Sequence, residues 1–524
     1  MRRHLEHLAV RDGIHLVTDV WQVTPEPAPL ALVRTPYRRD NERLLHQRDA
    51  LLRHGFHVAI QSVRGRHGSE GQWEPWVNER RDGFDTIEAL SQHRLCDGRV
   101  VTFGGSYEGW CQWAAAADGP PSLAAMAPRC SGGAWASEMP YRNGLFAVSL
   151  IEWLRQCLLE DQGSHATLEL EATRQRQLTR LLDLWLAHPP NDPYWHALTL
   201  TSKDYQSINV PVLTITGWFD ENRVGALTHY NGMLAAGNGR QTLLIGPWDH
   251  RGTLTPTRYL SGVDFGPLST PRVGEMQATW LRRQVAPVSS EQPAANSRTT
   301  VFVTGTNTWH CSSSWPPPTD PLRIELSDNR GRLASILSAQ APVPDMSGRQ
   351  RCAHTSYLDR SGLVEDPRVA SFATDPLEHA VEVAGSCLVV GPVGSGNAAC
   401  LVVLLCEIMS LGAFRFLSDG ACQTIGSAGG ADDEPLQVRL DPVHHTFVPG
   451  TRIGLLLSSG DSPRFLPYAT GFSAADVLRG RTPGGRVVAS RSGLRPSTWH
   501  LILPQARRPG SALQPTIRLW GLVL

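Results

Sequence analysis

The stretch VTFGGSYEGW (101–110) changes its pattern in the middle. Up to Ser106 it is the end of a short apolar run, RVVTFGGS (99–106), which reads as a strand. From Tyr107 it becomes YEGWCQWAAAAD (107–118), an alanine-rich helical pattern. A serine at such a strand-to-helix turn is pushed out of the sheet, with a helix N-terminus behind it. Glycine beside it relieves the crowding of a strained turn. The usual elbow spacing is Gly-x-Ser-x-Gly. Here Glu108 takes the place of the second glycine, which falls at Gly109.

The same alternation extends outward. LALVRTPY (30–37) and HVAIQSVRG (57–65) read as strands, and DGFDTIEALSQH (82–93) as a helix with Phe84, Ile87 and Leu90 on one face. This predicts a mainly parallel sheet covered on both sides. From about 144 to 190 only helical patterns occur. One carries Leu178, Leu181, Leu182 and Trp185 on one face. HPPNDPYW (188–195) breaks that run, and sheet patterns resume at NVPVLTITGWFD (209–220) and RQTLLIGPWDH (240–250). A helical insertion therefore interrupts one α/β unit. After a linker at 286–298, short apolar runs alternate with turns to the end, as in a β-sandwich or jelly roll. The expected division is 1–130 core, 131–205 helical cap, 206–285 core and 286–524 jelly roll.

Composition narrows the function. The 524 residues are 41% apolar and 19% charged, with 49 basic and 49 acidic side chains. Zero net charge argues against a global grip on nucleic acid or on an anionic membrane. Lys203 is the only lysine, so Schiff-base chemistry has one candidate, in a polar stretch. The longest apolar run, Ala398 to Cys406, is nine residues, against the roughly 20 of a membrane helix. The chain starts without a secretory pattern, and its ten cysteines include no CxxC pair. Reduced thiols and a cytoplasmic location are the expectation. No GxGxxG follows the early strands, which argues against a dinucleotide enzyme.

Asp220 and His250, like Ser106, stand just beyond the ends of predicted strands. That edge is where sites assemble in open α/β sheets. The chain order Ser, Asp, His is that of α/β-hydrolases. Asp220 alone also suits a helix N-cap, and His250 alone a solvated loop.

At this point the sequence resembles the cocaine esterase / X-prolyl dipeptidyl peptidase family of serine hydrolases, which also holds α-amino acid ester hydrolases and glutaryl acylases. The resemblance lies in VRDGIHL (10–16), RTPY (34–37), RGRHGSEGQ (64–72), NERRDGFD (78–85) and the Ser106 elbow. It continues through YW (194–195), GWFD (217–220) and GPWDH (246–250), with echoes at VTGTNTW (303–309), WPP (315–317) and SPRF (462–465). It implies an α/β-hydrolase core with an inserted helical cap and a C-terminal jelly roll. It implies Ser106 as nucleophile, His250 as general base and acid, and Asp220 as the group that orients His250. The oxyanion hole it implies is the Tyr107 backbone N–H and the Tyr37 phenol. No cofactor and no metal are called for. The expected partner is a small ester or amide, with no nucleic acid or membrane; a homo-oligomer stays open. The alternatives are acyl transfer in a biosynthetic pathway, an X-prolyl-type dipeptidyl peptidase, and a hydrolase fold kept for binding.

Other features are assigned structural roles. Arg64, Arg66, Glu70, Glu79 and Asp82 are expected to form a salt-bridge network. The glycine-rich stretch 391–399 reads as a β-turn, and His444-His445 as a solvated pair without metal-ligand spacing. Trp135, Trp218 and Phe219 are the candidates for shaping an acyl pocket.

Overall fold

The computed structural model describes residues 2–135, 137–160, 168–286, 298–326, 358–364, 366, 369–391, 399–424, 436–458, 465, 499–506, 518–519 and 522–523. A ten-stranded sheet runs in the order β1 (Arg2–Ala9), β2 (His15–Gln22), β4 (His57–Ser62), β3 (Ala28–Thr35), β5 (Cys96–Gly105), β6 (Leu123–Arg129), β9 (Val212–Phe219), β10 (Gln241–Asp249), β13 (Arg298–Val303) and β14 (Thr308–Ser312). Neighbours from β4 to β13 are parallel. β1, β2 and β14 close the two edges antiparallel. Every residue of β4 and β9 is buried, the signature of strands covered on both faces.

One face packs on α1 (Glu42–Arg53) and α9 (Val273–Gln284) through Leu44, Leu51, Met276 and Trp280. The other packs on α2 (Glu79–Ser91) and α3 (Tyr107–Ala116) through Ile87, Leu90 and Trp113. Helix α1 starts where the Asn41 side chain accepts from the Leu44 amide at 3.0 Å.

Between β6 and β9 lie a small hairpin, β7 (Tyr141–Arg142) and β8 (Leu145–Phe146), and four helices. These are α4 (Ser149–Glu160), α5 (Leu168–Ala187), α6 (Pro193–Leu198) and α7 (Ser202–Ser207). Leu178, Leu181, Leu182 and Trp185 form one buried face of α5. The proline-rich break then restarts as α6, with Asp192 accepting from the Tyr194 amide at 2.8 Å. Helix α8 (Arg223–Ala235) follows β9, and the pair β11 (Tyr259–Leu260) and β12 (Val263–Asp264) follows β10.

The C-terminal region is β-rich. One antiparallel sheet holds β21 (Leu436–Arg439), β18 (Leu388–Gly391), β24 (Trp499–Ala506), β17 (Val381–Gly385) and β22 (Val443–Phe447), with β15 (Thr319–Leu326) also on β24. The other holds β16 (Ala370–Ala373), β23 (Arg452–Ser458), β19 (Ala399–Ile408) and β20 (Phe414–Thr424). Strand β19 is apolar on both sides for a reason. Leu401, Val403 and Leu405 face the core between these sheets, while Val402, Leu404 and Cys406 join the hydrolase core.

The hairpin β13–β14 lies beyond residue 286, yet it extends the hydrolase sheet, because β13 pairs in parallel with β10. Residues 287–297 of the expected linker, 392–398 of the glycine-rich stretch and 462–464 of SPRF lie outside the described residues. Among the described residues no helix is long and apolar enough to cross a membrane.

Cap, core and β-rich region meet at a buried ionic knot. Arg142 of β7 donates to Asp419 at 3.0 Å and also to Asp441. Arg223 of α8 lies 2.9 Å from Asp441 and donates to the Trp218 carbonyl. The side chains of Arg223 and Asp419 have no exposure, and those of Arg142 and Asp441 only 6% and 10%.

Candidate active site

The elbow is strained where the sequence placed it. Ser106 has φ 62° and ψ −125°, a conformation that side chains other than glycine adopt only when held. A Cβ on Gly105 would sit 2.8 Å from the Arg129 guanidinium, so bare backbone is required there. A Cβ on Gly109 would sit 2.8 Å from Ser131 Cβ, since α3 packs closely on the segment after β6. Glu108 is free of that constraint and folds back under the turn. Its Oε1 accepts from Thr35 Oγ1 at 3.0 Å and from Arg43 at 2.9 Å, and its Oε2 from the Gly105 amide at 3.2 Å. This accounts for the glycine falling one place late.

Asp220 and His250 meet from the ends of β9 and β10. His250 Nδ1 lies 2.8 Å from Asp220 Oδ1. Asp220 is fully buried, and its oxygens also accept from Thr216 Oγ1 at 2.8 Å and the Asn222 amide at 3.0 Å. These donors fix the carboxylate that orients the ring. The His250 side chain is 24% exposed and Ser106 is half-buried. Among the described contacts, Ser106 Oγ is not hydrogen-bonded to the imidazole. Catalytic hydrogen bonds often tighten only when substrate is bound.

The second neighbour of His250 is a residue that sequence reasoning missed. Cys130 follows β6 with φ 39°, and its sulfur and the ligand atoms of Asp220 and His250 all lie within 4.8 Å of one another. Burial disfavours charge on both members of the pair. For the imidazole, Cys130 and Asp220 outweigh burial and hold its pKa well above the ordinary value. For the thiol, His250 outweighs burial and lowers the pKa. The Arg129 guanidinium, 3.9 Å from the sulfur, adds to that lowering. A general base works only when neutral, so in the general-base role expected of His250 kcat/KM should rise as pH climbs through the raised His250 pKa. Cys130→Ala removes one of the two groups that raise the His250 pKa. The acidic limb of the pH–rate profile is therefore expected to move to lower pH, and an unmoved limb would show that the thiol does not act on the base.

Of the two groups implied for the oxyanion hole, Tyr107 adjoins the elbow, and Tyr37 is joined to it through Trp153, whose ring lies 6.0 Å from that of Tyr107. Tyr107 is the first residue of α3, where backbone N–H groups point out of the helix. Its phenol turns away, donating to Glu79 at 2.6 Å and accepting from the Trp76 amide at 3.0 Å. Tyr37 accepts from the Trp153 indole at 2.9 Å, which leaves its own proton to donate. Burial raises the Tyr37 pKa, so the phenol stays protonated. Arg66 holds this corner, donating to the Pro36 carbonyl at 2.9 Å and lying 4.6 Å over the Trp73 ring.

Glu79, Asp82 and Arg64 of the expected charged network are linked through Arg34, which also lies 3.8 Å from Asp82, while Glu70 pairs apart from them. Arg34 meets Glu79 at 3.0 Å, Arg64 meets Asp82 at 2.6 Å and Asp12 at 2.8 Å, and Glu70 meets His15. Trp135 joins an aromatic wall centred on Trp76, which also touches Trp153, Trp185 and Tyr107. Trp218 and Phe219 are buried in the hydrolase core. Trp218 donates to the Phe302 carbonyl and packs on Trp315, and Phe219 packs on Phe265. Both sit in the core because β13 and the C-terminal region cover the end of β9.

Sheet order, elbow and strand-end residues define a hydrolase of the α/β type. Residues 12–252 match the X-Pro dipeptidyl-peptidase (S15 family) domain, and residues 294–473 match the X-Pro dipeptidyl-peptidase C-terminal non-catalytic domain. The chain belongs to this family of serine esterases and peptidases. It is 25% identical to the cocaine esterase of Rhodococcus sp. (strain MB1 Bresler), over 87% of this chain and 90% of that one. Among solved structures, it is similar in fold to an α-amino acid ester hydrolase, with TM-score 0.76 and 19% identity over 96% of both chains. It is also similar to an aminopeptidase from a marine sediment Thaumarchaeota archaeon, with TM-score 0.73 and 21% identity over 96% of this chain and 94% of the other.

Proposed function

We propose that this chain cleaves a carboxylic ester, or a related amide, through an acyl-enzyme on Ser106. The observation that carries this is the Asp220–His250 pair, held at 2.8 Å at the same strand edge as the strained Ser106. With Nδ1 committed to Asp220, Nε2 is the nitrogen left to take the Ser106 proton as Oγ attacks the carbonyl carbon. The developing oxyanion is received by the Tyr107 N–H and the Tyr37 phenol. The imidazolium then gives its proton to the leaving alcohol or amine, and water releases the acyl group by the reverse sequence. The two C-terminal sheets, read as a jelly roll, back the hydrolase core. The eight cysteines seen as free thiols support a reducing, cytoplasmic setting.

The deciding test is labelling by a fluorophosphonate, followed by intact mass and peptide mapping. One adduct on Ser106, lost in His250→Ala, is expected. A folded wild-type protein without an adduct would sink the proposal in favour of a binding role. Tyr37→Phe is expected to lower kcat by about 10²–10³ with KM little changed, because the phenol acts on charge that appears only in the transition state. Steady-state kinetics on an activated ester reads both constants. The X-prolyl peptidase alternative keeps its place through the family, and a panel of X-Pro amides beside simple esters separates the two. Product analysis with added alcohols or amines separates hydrolysis from acyl transfer.

A further inference from the structure

His444 is not solvated. It sits on β22 at 3% side-chain exposure, with Nε2 2.8 Å from Glu382 Oε1. Glu382 on β17 pairs with Thr446, so Glu382 and His444 are diagonal neighbours on one face of that sheet. A third group arrives from the hydrolase sheet: His310 on β14, whose ring meets that of His444 edge-on with centroids 5.8 Å apart. The ligand atoms of His310, Glu382 and His444 all lie within 4.8 Å of one another. His444 Nδ1 is buried without a hydrogen-bond partner. Nearby, Thr304 and His445 form a bridge that fixes the hairpin against β22.

We infer that His310, Glu382 and His444 form a zinc-type divalent-cation site that ties the hydrolase sheet to the C-terminal sheet. Two imidazole nitrogens and one carboxylate oxygen suit zinc and its first-row neighbours. Ligand bonds of about 2.0–2.2 Å put tetrahedral ligand atoms about 3.3–3.6 Å apart. The three ligand atoms, all within 4.8 Å of one another, lie near that spacing, and the fourth position falls to water. Glu382 keeps 23% of its side chain exposed, which gives an ion a way in.

The test uses the full-length chain stripped of metal and titrated with Co²⁺ and Zn²⁺. Cys130, Asp220 and His250 form a second set of potential ligands, so the readout must separate the two. The expected result is one equivalent of Co²⁺ whose spectrum has ligand-field bands but no sulfur-to-cobalt charge-transfer band. Binding should weaken at least tenfold in His310→Ala and in Glu382→Gln, and stay unchanged in Cys130→Ser. Zn²⁺ should raise the melting temperature of the wild type and not that of the first two variants. Metal-free melts and ester turnover check that those variants fold. No uptake at micromolar metal, or uptake undiminished in both His310→Ala and Glu382→Gln, would overturn the inference.

Discussion

Ser106→Ala is expected to reduce kcat on an activated ester by about 10⁶-fold, the scale on which removing a serine nucleophile acts. The variant keeps the oxyanion donors and the binding surface, so a residual acceleration of about 10³–10⁴ over water should survive. Alanine removes only Oγ at a turn whose strain is held by its surroundings, so the melting temperature should not fall. This variant also tests the neighbouring thiol. Cys130 shares His250 and is a stronger intrinsic nucleophile than a hydroxyl. If Ser106→Ala kept more than a few per cent of turnover, and Cys130→Ala in the same background abolished it, the acyl group would be travelling on sulfur and the serine mechanism would be wrong.

Asp220→Asn is expected to cost about 10⁴-fold in kcat, with substrate affinity nearly unchanged. The fully buried carboxylate accepts from Thr216, Asn222 and His250 at once. An amide in its place can accept on one side only. Its NH₂ group then faces a donor, and the imidazole is driven to the wrong tautomer or out of position. Pre-steady-state kinetics with a nitrophenyl ester should show slowed acylation. A variant that acylates at the wild-type rate would remove Asp220 from the mechanism. A melt alongside separates lost orientation from lost folding.

The parts of the site visible in the sequence were those written along the chain. The switch from strand to helix at Ser106 is local, and so are the apolar runs that end at Asp220 and His250. The rest depends on which strands become neighbours. Cys130 gains its importance because β6 lies beside β9, a pairing that no local pattern records. Glu108 looked like a departure from a motif, yet its carboxylate bonds under the turn from across the sheet. Trp218 and Phe219 adjoin Asp220 in sequence, but coverage by β13 and Trp315 sends them into the core. The parallel pairing of β13 with β10 crosses more than fifty residues of chain, so no local pattern records it. His444 and Glu382 stand on different strands and His310 on a third sheet segment, so spacing rules built for single segments pass over them.

The ionic knot bears on how such an enzyme can be rebuilt. Arg142 comes from the cap, Arg223 from the core, and Asp419 and Asp441 from the C-terminal region. Leaving one partner of a buried pair uncompensated typically costs about 3–5 kcal/mol, comparable with the margin by which many domains are folded at all. A truncated catalytic half would lose both carboxylates that Arg142 and Arg223 face. The C-terminal region is thus not a detachable module. A chimaera that exchanges it must carry over both aspartates in register, and a redesigned cap must keep Arg142.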